Sequence, residues 1–175
     1  MLTEKWSIEV EFNAKKLSIR KATIQDIEDL IELRKVLLSN GDTHYAAKNE
    51  EANLAWQNAY RFWIKQNISN TNVLILVGQY GEDKSICSCV IGIIDLRAPI
   101  VGALNGRVGW GQSLVVRNDR RGLGIAEAMI DYYHNWFRDQ NVHKVVVQSS
   151  KMAEEFNRKR GYLQTGEKLL FKIIE

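Results

Sequence analysis

The sequence predicts a mixed α/β domain built around one sheet, and three observations lead to that class. Apolar residues alternate with polar ones near the N-terminus, where Trp6, Ile8, Val10 and Phe12 show the two-residue period of a strand. Other stretches repeat their apolar residues at helical spacing. Over 114–147, an apolar strand, a helix and a second apolar strand follow one another closely, which predicts a right-handed parallel crossover. Together these patterns indicate helices layered on a sheet.

The first half of the chain combines a hairpin with two helices. Residues 23–26 (T-I-Q-D) have the form of a capping box that opens the first helix, and Asn40 with Gly41 ends it. In chain order we predict a strand over 6–12, a turn over 13–16, a strand from 17, a helix over 27–38, a polar loop over 41–48, a helix over 50–66, a buried strand over 73–77 and a turn over 79–84.

The second half contains the glycine-rich turn. Gly109 and Gly111 interrupt a long strand, which suggests a bulge or a close approach of a ligand to the backbone. In chain order we predict a strand over 86–96, a loop over 97–106, a strand over 106–116, a helix from 125 to about 141, a strand over 145–147, a helix over 152–160 stopped by Gly161 and a last strand over 168–174.

Length and composition point to one domain, residues 1–175, in which 1–16 forms an extra strand whose edge could pair with another chain. No apolar run of membrane-spanning length or secretory type occurs, so we expect no membrane contact and a cytoplasmic location. The net charge of +3 does not favour nucleic-acid binding. Cys87 and Cys89 are predicted to be buried thiols on one face of a strand, and no cluster of cysteine and histidine predicts a metal.

The turn between the strand and the helix of the crossover predicts an anion site. It carries Arg120, Arg121, Gly122 and Gly124, and small residues open the helix that follows. The first N–H groups of a helix have no partner within the helix, and the helix dipole adds positive potential there. A phosphate is the usual ligand of such a turn.

With these residues in view, the chain resembles the GCN5-related N-acetyltransferase (GNAT) superfamily. Residues 121–126 (R-G-L-G-I-A) fit its acetyl-CoA loop, Q/R-x-x-G-x-G/A, at every specified position. Leu114 and Val116 occupy the preceding strand. Residues 150–162 look like its closing segment, a short helix that ends in an aromatic residue, a lysine and a Gly-Tyr pair. The order of elements over 17–174 matches as well. The resemblance implies a mostly antiparallel sheet with splayed parallel strands that flank the crossover helix.

The resemblance also implies a binding site for acetyl-CoA, which is the acyl donor. It further implies a possible homodimer, because dimers are common among such relatives. The turn and Arg121 would hold the pyrophosphate, while pantetheine would lie between the splayed strands. Leu114 and Val116 would pair with pantetheine, and the Val116 N–H would face the thioester oxygen. The expected cofactor-binding residues are Leu114, Val115, Val116, Arg121, Gly122, Leu123, Gly124, Ile125, Ala126, Ser150 and Asn157.

The implied reaction is direct transfer of the acetyl group to a primary amine, but the usual proton-transfer residues are missing. Many relatives use a carboxylate on the central strand as base and a tyrosine in the closing helix as acid. Here no carboxylate lies between Asp95 and Asp119, and Gln112 with Ser113 occupies that region. Asn157 stands at the tyrosine position. Gln112 can orient a water and Asn157 can hydrogen-bond the thiol sulfur, but neither exchanges a proton.

Three explanations stay open at this level. The enzyme relies on positioning and the Val116 N–H, with water carrying protons. Alternatively, His44, Tyr45, Asp95 or Tyr162 substitutes for the missing groups. In the third, the protein is a non-catalytic acyl-CoA-binding module. The leading expectation is an N-acetyltransferase for a small molecule or peptide amine, and a toxin-type enzyme acting on aminoacyl-tRNA is a further alternative.

Overall fold

A six-stranded sheet carries the fold, and helices pack on both of its faces. The computed structural model describes residues 7–12, 15–39, 46–82, 84–170 and 172–174. The strands lie side by side in chain order, and every neighbouring pair is antiparallel except the last. They are β1 (Ser7–Phe12), β2 (Lys15–Lys21), β3 (Val73–Tyr80), β4 (Ile86–Leu96), β5 (Arg107–Val116) and β6 (Val145–Val147).

Two apolar layers hold the helices on the sheet. On one face, the first two helices cover a cluster that includes Leu30, Ile64 and Ile75. On the other face, the third helix covers a cluster that includes Leu76, Met129 and Tyr133. The helices are α1 (Ile27–Ser39), α2 (Glu50–Asn67), α3 (Ile125–Asp139) and α4 (Lys151–Lys159), and short 3₁₀ turns occur at Ile24–Asp26 and Asn118–Arg120.

The predicted capping box at the start of α1 is confirmed. The Asp26 carboxylate is buried, accepts from the Thr23 N–H at 2.6 Å and pairs with both terminal nitrogens of Arg20 at 2.7 and 2.8 Å. Burial alone would raise the pKa of Asp26, but the bonds from Arg20 and Thr23 outweigh it and hold that pKa below its usual value. The ionised carboxylate therefore anchors α1 to β2.

Three predictions about the strands are wrong. The turn predicted over 13–16 is shorter, because Lys15 and Lys16 already belong to β2 and pair with β1. A turn was expected from Gln79, but β3 continues to Tyr80 because Ser18 and Leu17 of β2 pair with its last two residues. A last strand was expected over 168–174, but the described residues 168–170 and 172–174 form no strand. Leu170 is 85% exposed there. Alternating apolar residues give this segment strand propensity, but a strand also needs an edge to pair with, and the segment does not lie on one.

The two cysteines are buried free thiols as predicted, but they do not share a face. Cys87 belongs to the layer beneath α3, whereas Cys89 belongs to the layer beneath α1 and α2. Opposite Gly78 and Gln79, β4 carries one more residue than β3, and this bulge breaks the two-residue alternation on which the prediction relied.

The strand glycines are explained by helix packing. A Cβ on Gly109 would lie 2.8 Å from the Phe137 ring, and a Cβ on Gly111 would overlap the Tyr133 hydroxyl and lie 3.0 Å from Val147. The close approach suggested by these glycines is therefore made by α3 and not by a ligand. It brings α3 close to β5 immediately before the two parallel strands separate.

Candidate active site

The site begins where β5 leaves β6. The parallel ladder ends at the pair formed by Gly111 and Val147. Next, Ile91 of β4 pairs with Gln112 while Cys89 pairs with Val115, so β5 contains one extra residue and bulges. Ser113 lies in this bulge with a left-handed backbone, φ 57°. The bulge bends β5 and opens a gap between it and the segment that follows β6.

The backbone of β5 beyond the bulge offers unpaired groups to this gap. The Arg117 N–H donates to the Cys87 carbonyl at 2.7 Å, so Arg117 and Val115 face β4. Because successive residues of a strand face opposite edges, Leu114 and Val116 direct their N–H and C=O groups toward the gap. The Val116 carbonyl accepts from Arg121 Nε at 3.3 Å, which leaves its N–H for a ligand.

The glycine turn ends at the uncapped start of α3. Gly122 and Gly124 have φ values of 73° and 75°, in the left-handed region that glycine adopts without strain. Gly124 is the N-cap and supplies no side-chain acceptor. The N–H groups of Gly124, Ile125 and Ala126 have no acceptor within the described part of the chain. They form the donor set that a phosphate requires at a helix N-terminus.

Arg121 adds positive charge to this donor set. Its side chain is exposed and forms no ion pair with any carboxylate that the structure describes. By contrast, Arg117 is paired with Asp119 at 2.7 Å. The guanidinium of Arg121 therefore retains donors for a phosphate group, which it can hold by charge-assisted hydrogen bonds.

These groups line one open cleft of about 310 Å³. Its walls come from β5, the glycine turn, the first turn of α3, the apolar face of α4 and one residue of α1. The lining residues are Leu37, Leu114, Val115, Val116, Arg120, Arg121, Gly122, Gly124, Ile125, Ala126, Glu127, Met152, Ala153 and Phe156. Eight of the residues that the sequence assigned to cofactor binding are among them.

Three residues assigned to cofactor binding do not line the cleft. Leu123 packs against the apolar layer beneath α3. Ser150 is the N-cap of α4, where its Oγ accepts from the Ala153 N–H at 3.3 Å. Asn157 donates from Nδ2 to Ser149 Oγ at 2.9 Å, so its side chain ties α4 to the segment after β6.

Three of the four residues assigned to catalysis lie outside the cleft lining: Asn157, described above, Gln112 and Tyr162. Gln112 directly precedes the bulge. The Tyr162 hydroxyl lies 2.8 Å from His134 Nε2 and 3.2 Å from the Tyr133 hydroxyl. Burial raises the pKa of Tyr162 and lowers that of His134. Sequence reasoning missed this three-residue cluster, because the partners are 28 and 29 residues from Tyr162.

Among the described residues, no carboxylate lies at the bulge. Asp95 pairs with Arg97 at 2.8 Å and lies six residues along β4 from Cys89, or roughly 20 Å. Glu127 lines the cleft, but it belongs to the first turn of α3 at the phosphate end. His44 and Tyr45, the predicted loop substitutes, lie outside the described residues.

A second group of polar residues meets the bulge from the α1 and α2 side, and sequence reasoning missed it entirely. We call it the bulge cluster: Arg34, Tyr60, Cys89 and Ser113. Arg34 Nη1 donates to Ser113 Oγ at 2.8 Å, and the Arg34 guanidinium carbon lies 4.6 Å from the Tyr60 ring centre. The Cys89 thiol donates to the Ser113 carbonyl at 3.4 Å. Burial raises the pKa of Cys89 to about 12, so the thiol stays protonated.

Other kinds of site find no support in the residues that the structure covers. Among them, no three histidine, cysteine, aspartate or glutamate side chains converge as metal ligands. Likewise, no helix in the described ranges combines the length and apolar character needed to cross a bilayer.

Comparison with known proteins agrees with this geometry. Residues 97–175 match the family model for an acetyltransferase (GNAT) domain. This region contains β5, the glycine turn, α3 and α4, which together form most of the cleft. No curated protein sequence matches the chain.

Solved structures share the fold over almost the whole chain. A predicted acetyltransferase from Clostridium acetobutylicum, solved with acetyl-CoA, superposes with a TM-score of 0.77 at 22% identity, covering 89% of this chain and 96% of that one. A GCN5-related N-acetyltransferase from Ralstonia eutropha JMP134 superposes with a TM-score of 0.75 at 18% identity, covering 90% of this chain and 98% of that one. Glucosamine-6-phosphate N-acetyltransferase from Arabidopsis thaliana superposes with a TM-score of 0.63 at 18% identity, covering 90% of this chain and 99% of that one.

The family model over residues 97–175 and the shared fold of the solved structures confirm the resemblance to the GNAT superfamily that the sequence predicted. The six-stranded sheet with one parallel pair is the predicted fold class. The roles of individual site residues stay predictions.

Replacing Gly124 tests the placement of the phosphate site. We expect Gly124→Asp to lower the affinity for acetyl-CoA at least about tenfold relative to Gly124→Asn, measured by isothermal titration calorimetry. Both side chains have similar size and tolerate the left-handed backbone, so the pair isolates the negative charge placed beside a pyrophosphate. Equal affinities of the two variants would contradict this placement.

Proposed function

We propose that the protein transfers an acetyl group from acetyl-CoA to a primary amine of a small molecule or a peptide. The observation that carries the proposal is the cleft itself. At one end it presents the free N–H groups of α3 and the guanidinium of Arg121, and along one wall it presents the unpaired edge of β5. An anionic diphosphate with an extended, amide-containing arm matches both features.

The orientation of the donor follows from the two ends of the cleft. The pyrophosphate lies at the glycine turn, so the pantetheine arm runs back along β5 toward the bulge. Val116 is next to the turn and Leu114 is next to the bulge. We therefore propose that both N–H groups bind acetyl-CoA. The Val116 N–H would donate to the pantetheine arm, and the Leu114 N–H would lie nearer to the thioester oxygen. The sequence predicted the oxyanion role for the Val116 N–H; we propose the Leu114 N–H for that role instead, because Leu114 is nearer to the bulge.

The reaction needs no covalent enzyme intermediate. The amine nitrogen attacks the thioester carbon, a C–N bond forms and the C–S bond breaks, so that CoA leaves as a thiolate that takes up a proton from water. Backbone N–H groups aimed at the developing oxyanion stabilise the transition state. The amine must lose a proton before it attacks, because an unperturbed alkyl ammonium has a pKa of about 10.4. Since no carboxylate in the described part of the chain lies at the bulge, we propose that water takes this proton.

Three further expectations stay predictions. A homodimer is one, and sedimentation equilibrium of the full chain would test it. A cytoplasmic location is another. The third is that nucleic acid is not a partner, although aminoacyl-tRNA as the acceptor is the alternative within the same fold.

Release of free CoA tests the proposal most simply. Acetyl-CoA, the protein and a broad panel of amines and peptides should give thiol release above the hydrolysis background for at least one acceptor. Heat stabilisation by acetyl-CoA without any release would instead indicate a binding module. Binding of aminoacyl-tRNA that weakens steeply with added salt would favour the tRNA alternative.

The pH dependence tests the role of water as base. With a working acceptor, log(kcat/KM) should rise with a slope near one between about pH 5.5 and about pH 9, because only the deprotonated amine reacts. An inflection near the usual histidine pKa of about 6.5 would contradict this account and indicate a protein base. His44→Gln is the matched variant, since it would remove such an inflection if His44 caused it.

A further inference from the structure

The bulge cluster contains a cation without a counter-ion. Arg34 is half-buried on α1, and one of its five N–H donors is used by Ser113 Oγ. No carboxylate in the described ranges lies within ion-pair distance of it. A cation removed from water costs free energy unless an anion or hydrogen-bond acceptors compensate it.

Tyr60 places a second unused donor beside this cation. Its side chain is 7% exposed, and its hydroxyl finds no acceptor for its proton in the described structure. The Arg34 guanidinium does act on this hydroxyl oxygen, but it is itself a donor. Burial raises the pKa of Tyr60, so the phenol remains a neutral O–H donor. Cys89 is protonated as well, so nothing within the cluster balances the charge of Arg34.

The cluster lies across the β5 bulge from the donor cleft. The donor cleft is walled by α3 and α4 on one face of the sheet, whereas Arg34 and Tyr60 meet the bulge from the other face. Ser113, which Arg34 contacts, immediately precedes Leu114, a lining residue of the cleft. Leu37, three residues after Arg34 on α1, also lines it. The Arg34 guanidinium is not itself a lining residue, but it lies next to the Leu114 end of the cleft, where we place the thioester.

We infer that the acceptor amine also carries an oxyanion, a carboxylate or a phosphate, which Arg34 and Tyr60 bind. The inference rests on the proposed function and adds a substrate class to it. A planar guanidinium with free donors binds such groups through charge-assisted hydrogen bonds, and the Tyr60 hydroxyl supplies a further donor. Binding the oxyanion compensates the charge of Arg34 and orients the amine toward the thioester carbon.

Matched acceptors test this class on the full-length protein with acetyl-CoA. Each pair differs only in the anion: glycine against glycinamide and 4-aminobutyrate against butylamine for a carboxylate, and 2-aminoethyl phosphate against ethanolamine for a phosphate. In at least one pair, kcat/KM of the anionic member should be about tenfold or more above that of the neutral member. The pair that shows the preference identifies the kind of oxyanion.

Two variants separate recognition from structural support. Arg34→Gln should lower kcat/KM for the anionic acceptor about tenfold or more relative to that for the neutral acceptor, so that the preference for the anion is lost. Arg61→Gln is the control for loss of one positive charge, because Arg61 is a surface residue of α2 paired with Glu28, and it should leave the preference intact.

The inference and the proposed function fail in different ways. If neutral amines are used as well as anionic ones, or if Arg34→Gln weakens both equally, then Arg34 only supports the bulge and the inference is overturned while the acetyltransferase proposal stands. If no amine releases CoA, the proposed function fails. In that case, calorimetry of the same acceptors with the CoA-loaded protein tests oxyanion binding directly, and the absence of binding would overturn the inference as well.

Discussion

The separation of β5 from β6 is the constraint on which the whole site depends. Hydrogen bonding between these strands ends at Gly111 and Val147, and the bulge that follows turns β5 away. Backbone groups that would otherwise complete a ladder are left at the edge of a cleft. This edge can therefore pair with a ligand that carries its own amides. The packing of α3 against Gly109 and Gly111 fixes where the separation begins.

The bulge also joins two halves of the site that lie on opposite faces of the sheet. On the α3 and α4 side, Leu114 and Val116 present their backbone to the donor cleft. On the α1 and α2 side, Ser113 holds Arg34 next to Tyr60. One extra residue in β5 thus opens the donor site and orients the group that we propose selects the acceptor.

Local features of the site could be predicted from sequence because short-range chemistry determines them. Residues 121–126 alone predict two glycines with left-handed backbone and a helix N-terminus without a side-chain cap. The capping box at Thr23 also depends only on neighbouring residues. The bulge cluster could not be predicted, because 79 residues separate Arg34 from Ser113. The faces of Cys87 and Cys89 were mispredicted because a bulge in β4 is invisible in an apolar run. The last strand expected over 168–174 does not form, because strand propensity alone does not provide a neighbouring strand to pair with.

Amide hydrogen exchange tests the central claim directly, since the account assigns acetyl-CoA to one stretch of backbone. Exchange should be measured residue by residue, by NMR, for the free protein and with saturating acetyl-CoA. The amides of Leu114, Val116 and residues 124–126 should become protected at least about tenfold, while amides of β2 at the distant side of the sheet should not change. Protection absent from β5 and the start of α3, or confined to another part of the chain, would contradict the account.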